Sequence, residues 1–498
     1  MRALRTITAF REREDGAILV LWAVALAVIL GLVALSFDVG RMSITQTQLQ
    51  SYTDSVALAA AGELDGRDDA ITRATQAAAD MIADTQIFGE GDTDLSDAGD
   101  YTLTFFSDLP ADDTAAPTAV TSDPAEARFV RVTATQQDVS YTFGRAFGAL
   151  TDGGFQTPAQ VGATSIASMT QYACDVTPLM ICAPSGWEAE DNIGTMINLR
   201  SGGQGAAWQP GNFGFLDPEV VEVDPSGICA GLNGQNLYTC LVGANGPITQ
   251  CYSMNGVTTE PGQKNGITTS TFNIRFDIFR STANSTKNDP NYPPAPNVIK
   301  GVIPQTGGGG GGNGGGGGGG PQCLGQNVDP SSNTVGLLRD DCFATNSCGG
   351  GGRFGNGVWD YTTYVNTNYG SNVFGLTDPT RYEVYLAEIA NPQGPNGRIL
   401  PAGKDETGLP SCSTQTPAGP ERRLVTAAVV DCNAHPISGK EVGVPVEEFI
   451  EIFLTEPVAA DAASPSIIDM WGEVVGVVSD GTGAGATGIF RDVVQLYR

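Results

Sequence analysis

Residues Ala17 to Phe37, AILVLWAVALAVILGLVALSF, form a run of 21 residues with no charge. As a helix rising 1.5 Å per residue the run reaches about 31 Å, the hydrocarbon thickness of a bilayer. It is apolar on every side, so it is not the amphipathic helix of a soluble core. Arg2, Arg5, Arg11 and Arg13 precede it, diluted by Glu12, Glu14 and Asp15, while Asp38 and one early Arg41 follow it. Basic residues set orientation and acidic ones count little, so the N-terminus is expected in the cytoplasm and the bulk of the chain outside it. A cleaved signal peptide has a shorter apolar core of roughly 7–15 residues. Ala34-Leu35-Ser36 would suit a cut, but the run is too long. A pilin-type signal places a glycine before the run and a glutamate five residues on. Gly16 is present, but the fifth residue is Leu21. The expected state is an uncleaved anchor that meets the lipid bilayer through residues 17–37.

The ten cysteines are Cys174, Cys182, Cys229, Cys240, Cys251, Cys323, Cys342, Cys348, Cys412 and Cys432, all downstream of the run. An even number behind a membrane-entry segment points to disulfides in an oxidising compartment. Zinc is disfavoured, because there is no C-x-x-C pair and His435 is the sole histidine. Proximity suggests Cys174 with Cys182 and Cys342 with Cys348, and more loosely Cys412 with Cys432. The chain carries 26 basic and 55 acidic residues, a net charge of −29. Such a surface repels nucleic acid, so no nucleic-acid partner is expected. Solubility accounts for the acidity more simply than a calcium-binding surface does. The acidic stretch GEGDTDLSDAGD, with Asp92, Asp94, Asp97 and Asp100, lacks EF-hand spacing and reads as a solvated loop.

Beyond the run, DVGRMSITQTQLQSYTDSVALAAAGEL (38–64) has no proline and is rich in alanine and leucine. Apolar or small residues recur at Leu49, Tyr52, Val56, Ala59 and Ala60 with helical spacing. One helix is expected from the membrane to about Leu64, then a second, capped by Asp68, ending near Gly89. The polar positions are Asp38, suited to capping the exit or pairing with Arg41 one turn on, and Gln50 and Asp54, suited to a partner helix or a solvated face.

These residues resemble the N-terminal Tad-type domain of TadG-like Flp (tight adherence) pilus-assembly proteins. The resemblance rests on Gly16, the apolar helix, Asp38, Gly40 and Arg41 at its exit, then Leu49, Gln50, Asp54, Ala57, Leu58, Ala59 and Ala60. It covers about 50 residues, a tenth of the chain. It implies a bacterial inner-membrane protein with a periplasmic body, associated with other pilus-assembly proteins. Longer relatives of this kind often carry a von Willebrand factor A-type domain with an Asp-x-Ser-x-Ser metal motif. DVGRMS and DIFRSTANS both fail that pattern, so no metal-dependent adhesion is implied.

Strand-like alternation marks 101–109, 128–143 and 161–172, expected to pack as a small α+β unit on the second helix. Residues 269–279, TSTFNIRFDIF, also read as a strand. Gly307 to Gly320 holds thirteen glycines broken by Asn313 and lacks the Gly-Lys-Ser/Thr of a phosphate loop. It reads as a disordered linker or surface loop. Further on, 378–391 reads as a helix, 422–432 as a buried strand, 446–458 as strand or helix and 467–479 as a strand. If these strands complete a sheet begun earlier, the glycine run is an insertion and not a boundary. The fold class is therefore α+β: a single transmembrane helix continuing into a long helix, then a disulfide-containing extracytoplasmic α+β body with a Gly-rich loop. The segments are 1–16 (basic N-terminus), 17–37 (transmembrane), 38–88 (Tad-type helices), 89–184 (small α+β unit), 185–306 (Gly/Asn/Pro-rich), 307–320 (Gly-rich) and 321–498 (C-terminal α+β).

One histidine, in a turn-like DCNAHPISG, gives little basis for Ser/His or Cys/His catalysis. Glu447, Glu448 and Glu451 read as a solvated face. No catalytic, cofactor-binding or metal residue and no small-molecule substrate is expected. The expected function is a membrane-anchored structural component of a Flp (Tad) pilus or related secretion system. The alternative is a secreted, disulfide-stabilised adhesin released near Ser36.

Overall fold

The computed structural model describes residues 15–497 apart from 82–83, 91–93, 96–98, 111, 113, 146–156, 175, 202–207, 218–226, 246–250, 254–255, 261–264, 299, 304–328, 461–466 and 479–489. The arginines before residue 15, the glycine run and Cys323 thus lie outside the described residues, as do Asp92 and Asp97. Two compact units emerge: Met1–Thr170 with Asp492–Arg498, and Gln171–Arg491. Helices and strands are mixed in one α+β chain, as the sequence indicates.

The first unit is built on α1 (Asp15–Ala61), a single 47-residue helix about 70 Å long. With no proline, nothing interrupts it before Gly62, three residues short of the expected end. The following helix α2 (Ala70–Ala79) is shorter than expected and ends well before Gly89. Asp69, not Asp68, precedes it, and the Asp69 side chain makes no capping bond. Instead Arg73 gathers Asp69, Asp65 and Glu63, pinning the turn between the helices.

Three antiparallel strands follow: β1 (Tyr101–Phe106), β2 (Phe129–Ala134) and β3 (Thr164–Cys174). The C-terminal strand Phe490–Leu496 joins β3, and the Tyr497 N–H donates to the Ile166 carbonyl at 2.8 Å. Leu49, Tyr52, Val56 and Ala60 of α1 share a core with Val130, Val132 and Ala167 of the sheet. The sheet therefore packs on the long helix, with Ala74 and Ala78 of α2 adding to the same core. The expectation that the second helix is the platform is corrected: α2 offers one alanine stripe, whereas α1 offers large side chains. The chain leaves this unit through β3 and returns as its neighbouring strand, so the second unit is an insertion.

The second unit centres on six strands: β4 (Leu179–Cys182), β5 (Met196–Ser201), β6 (Asn212–Leu216), β7 (Leu424–Val430), β8 (Glu448–Leu454) and β9 (Ile468–Val477). Their pairing closes on itself in the order β6-β4-β7-β8-β9-β5-β6. The β4–β7 and β5–β6 pairs are parallel and the rest antiparallel. A closed sheet has no edges and alternates its side chains between inside and outside. Inside lie Ile181, Leu199, Phe213, Phe215, Val425, Ala427, Val429, Ile450, Ile452, Met470 and Val474. Outside, Met180, Ala428, Val430 and Phe449 build a second core, and Phe453 packs on Tyr382 and Tyr385. From Ala427 to Val430 both faces of β7 are buried, which explains the apolar run AAVV there. At Gly472 a side chain would run into Ile452, so the crowded interior requires glycine there.

Strands on either side of the glycine run share this barrel, so residues 307–320 interrupt one sheet and do not separate two. The 446–458 stretch resolves as strand β8. Glu448 and Glu451 consequently fall on opposite faces. Glu451 is buried, and Glu448 accepts the Ala189 N–H at 3.0 Å; neither forms the solvated helix face considered from sequence. The 269–279 stretch is not a strand: it joins α4 (Asn265–Thr271) to a 3-10 turn, Phe272–Phe276. Phe272 and Phe276 plug the barrel, and Asn273 makes paired bonds to the Val458 backbone at 2.7 and 2.9 Å. Packing against the barrel overrides the β-propensity of its threonines and aromatics.

The disulfides join Cys174–Cys251, Cys182–Cys432, Cys229–Cys240 and Cys342–Cys348, and Cys412 is also disulfide-bonded. No described cysteine is free. Only Cys342–Cys348 follows the proximity expectation. The Cys174–Cys182 and Cys412–Cys432 expectations fail because β4 and β7 lie side by side, bringing Cys182 within 5.4 Å Cα–Cα of Cys432 across 250 residues. Substituting both Cys182 and Cys432 with serine is expected to lower the stability of the unit by about 2–5 kcal/mol, seen as a lower urea midpoint. An unchanged midpoint would show that barrel closure alone sets the register.

Candidate functional site: the membrane-exit helix

Helix α1 has two halves of opposite character. From Leu19 to Phe37 its large apolar side chains are exposed; Leu21 is 68% and Trp22 66% accessible. This half is long and apolar enough to cross a membrane. The helix continues unbroken through Ala34-Leu35-Ser36, where the Ser36 hydroxyl donates to the Leu32 carbonyl at 2.8 Å.

At Asp38 the environment changes abruptly, and its side chain is 2% exposed. Its carboxylate accepts the successive backbone N–H groups of Thr142, Phe143 and Gly144 at 2.8, 3.1 and 2.6 Å. Consecutive N–H groups form a concave nest for an anion, and hydrogen bonds to an ionised acceptor are the stronger kind. One turn along, Arg41 donates to the Ser140 carbonyl at 3.1 Å and to the Thr142 hydroxyl, and its guanidinium lies 5.1 Å from the Phe88 ring centroid. Phe37 meets Phe143 edge-on at 5.2 Å. Asp38 and Arg41 therefore grip residues 140–144 from one helix face. The capping reading of Asp38 fails, because the helix does not end there; Arg41 acts on the carboxylate electrostatically, while its hydrogen bonds come from a distant backbone segment. Gly40 meets no neighbour within 4 Å at the position a side chain would take, so this chain supplies no contact that demands glycine there.

Three turns further, Gln50 and Asp54 form a second grip. The Gln50 amide donates to Asp54 at 2.8 Å, to the Ser165 hydroxyl at 2.8 Å and to the Thr164 carbonyl at 3.3 Å. Ser165 also bonds Asp54 and lies 2.8 Å from the Thr53 hydroxyl. Gln50 and Asp54 thus meet a strand, β3, in place of the helix or solvent considered from sequence. Leu49 and Ala57 are fully buried beside them, and Leu58 packs at the margin of that core. Thr53, Ser165 and the 140–144 segment escaped the sequence reading because ordinary serine and threonine carry no signal until the fold brings them together.

The second unit has its own buried polar centres. Arg381 opens helix α5 (Arg381–Ala390), pairs with Asp340 and Glu473, and lies 4.8 Å from the Trp359 ring centroid. Glu473 also accepts the Arg381 and Tyr382 N–H groups at the start of α5, where the helix dipole favours an anion. Burial pushes the Glu473 carboxyl up, with Arg381 and those two N–H groups pulling it back. Glu388 accepts from Lys300, Asn297, Tyr364 and Tyr369 at 2.5–2.8 Å. Lys300 and Glu388 form a buried ion pair at 2.8 Å, and near them burial pushes Glu406 up to about 8. Every acceptor in the Arg381 and Glu388 centres is occupied by protein, which suits a rigid scaffold. His435 sits exposed in a turn. No group of three His, Cys, Asp or Glu among the described residues is arranged to hold a metal.

An apolar helix half, a polar exit bonded to residues 140–144 and to β3, and a disulfide-bonded inserted unit fit a chain with a single-pass anchor joined to a folded body. Residues 16–63 match the family described as Tad, putative Flp pilus-assembly TadE/G-like. That match supports a role related to Flp pilus assembly, and it ends two residues beyond Ala61, the last residue of α1. No curated protein and no solved structure matched the chain.

Proposed function

We propose that this protein is a structural component of a Flp (Tad) pilus or a related secretion system, held in the bacterial inner membrane by residues 17–37. The N-terminus lies in the cytoplasm, and both folded units lie in the periplasm, where they contact other pilus-assembly proteins. The body has no catalytic role in this reading. The observation that carries it is the coincidence of the TadE/G-like match with α1, whose apolar half is exposed while its polar exit is fastened to the sheet. The upstream arginines and the disulfides support the orientation.

Protease added to intact spheroplasts is expected to degrade the body and leave a short membrane-embedded N-terminal fragment. Deleting the gene is expected to reduce pilus number and surface adhesion. Full protection of the body in spheroplasts would overturn the orientation, and normal pili in the deletion strain would overturn the assembly role. Release as an adhesin would require cutting an unbroken helix near Ser36. An N-terminal sequence beginning at or near Phe37 in the culture medium would favour that reading.

A further inference from the structure

Five lysine or arginine side chains among the described residues are at least nine-tenths buried: Arg275, Lys300, Arg381, Arg422 and Arg423. Four of them are answered by protein. Lys300 faces Glu388, and Arg381 faces Asp340 and Glu473. Arg422 donates to the carbonyls of Pro293, Ala244 and Gly243. The last of these closes helix α3 (Gly234–Gly243), whose negative dipole end suits a cation. Arg423 donates to the carbonyls of Leu454, Thr455, Asn297 and Val298.

Arg275 is the exception. It is 4% exposed, stacks on Phe272 with 5.5 Å to the ring centroid, and its Nε and Nη1 are buried without a hydrogen-bond partner. Arg275 in turn acts as a like charge on the neighbouring Arg422, and no carboxylate among the described residues forms an ion pair with either guanidinium. Burial alone pushes Arg275 down to about 10, still ionised at neutral pH. A buried, unpaired guanidinium is among the costliest arrangements a protein interior can hold, and it persists where something compensates it. Water would fill the empty donors but leave the charge; a compact anion does both.

We propose that Arg275, backed by Arg422, binds a compact anion inside the second unit: a halide or an oxyanion no larger than phosphate. The site is independent of the anchor and of the role in pilus assembly. It gives the inserted unit a stability that depends on the ionic composition around it, because a ligand bound only by the folded state stabilises by mass action.

The test uses the full chain in detergent and follows its thermal unfolding midpoint. Chloride, phosphate or formate is titrated at constant ionic strength, made up with bulky gluconate. The wild type is expected to show a saturable rise of about 3–6 °C by about 100 mM of at least one compact anion. Arg275→Met is expected to lose that rise while melting no lower than wild type in gluconate, because it removes an uncompensated charge. Arg275→Lys is expected to retain a weaker, right-shifted response. A wild type indifferent to all three anions overturns the proposal without recourse to any variant. Equal responses from wild type and Arg275→Met overturn it as well.

Discussion

Asp38→Ala is expected to free the start of the polar half of the helix from residues 142–144 and to abolish pilus assembly without removing the protein from the membrane. The substitution takes away a buried carboxylate that accepts three successive, partly exposed backbone N–H groups. A hydrogen bond to a charged acceptor contributes about 1.5–3 kcal/mol, but the three are not additive and Thr142 and Phe143 are open to water, so a loss of about 1–3 kcal/mol is expected in the first unit. The apolar run is untouched, so fractionation should still place the variant in the membrane. The readout is pilus number per cell at matched protein level, with protease susceptibility between residues 140 and 144 as the structural check. Ser43→Ala, on the exposed side of the same helix, should leave pili normal. Normal pili in Asp38→Ala cells would mean that the grip at the exit is not needed for the protein's role.

Arg381→Met is expected to be the most damaging single change in the second unit. It strands Asp340 and Glu473, both almost wholly buried, with no counter-charge. Breaking a buried ion pair from one side typically costs about 3–5 kcal/mol, more than the intact pair contributes relative to an apolar replacement. Tryptophan fluorescence under urea should report the shift, since Trp359 lies against Arg381. Adding Asp340→Asn and Glu473→Gln to the variant should recover part of the loss, because the stranded charges go with them. A midpoint within about 0.5 kcal/mol of wild type for Arg381→Met alone would sink the assignment of this cluster as a structural keystone.

The pattern of what was legible follows interaction range. The anchor, the long helix, strands β1 and β7 and helix α5 were readable because each depends on its own residues. An uncharged run of membrane length, a proline-free alanine-rich stretch and alternating apolar residues all act within a few residues. The 269–279 stretch misled because local propensity favoured a strand while two phenylalanines one turn apart served the barrel better as a helix. Asp38, Arg41, Gln50 and Asp54 could be singled out, but their partners lie about a hundred residues away, and no local rule names them.

The sequence by itself determined that this protein has a segment able to span a bilayer and that a helix resembling the TadE/G-like one continues from it, and it pointed to disulfides for the cysteines. These are properties of composition and short-range order. Only the tertiary structure decided that the polar exit residues grip a backbone nest and a strand. It alone decided that the second unit is an insertion between neighbouring strands of the first, and that six strands from both sides of a glycine run close into one barrel. The physical reason is common to all three. Strand pairing and buried polar contacts depend on which distant segments meet, and hydrogen-bond complementarity between them appears only after the chain has folded.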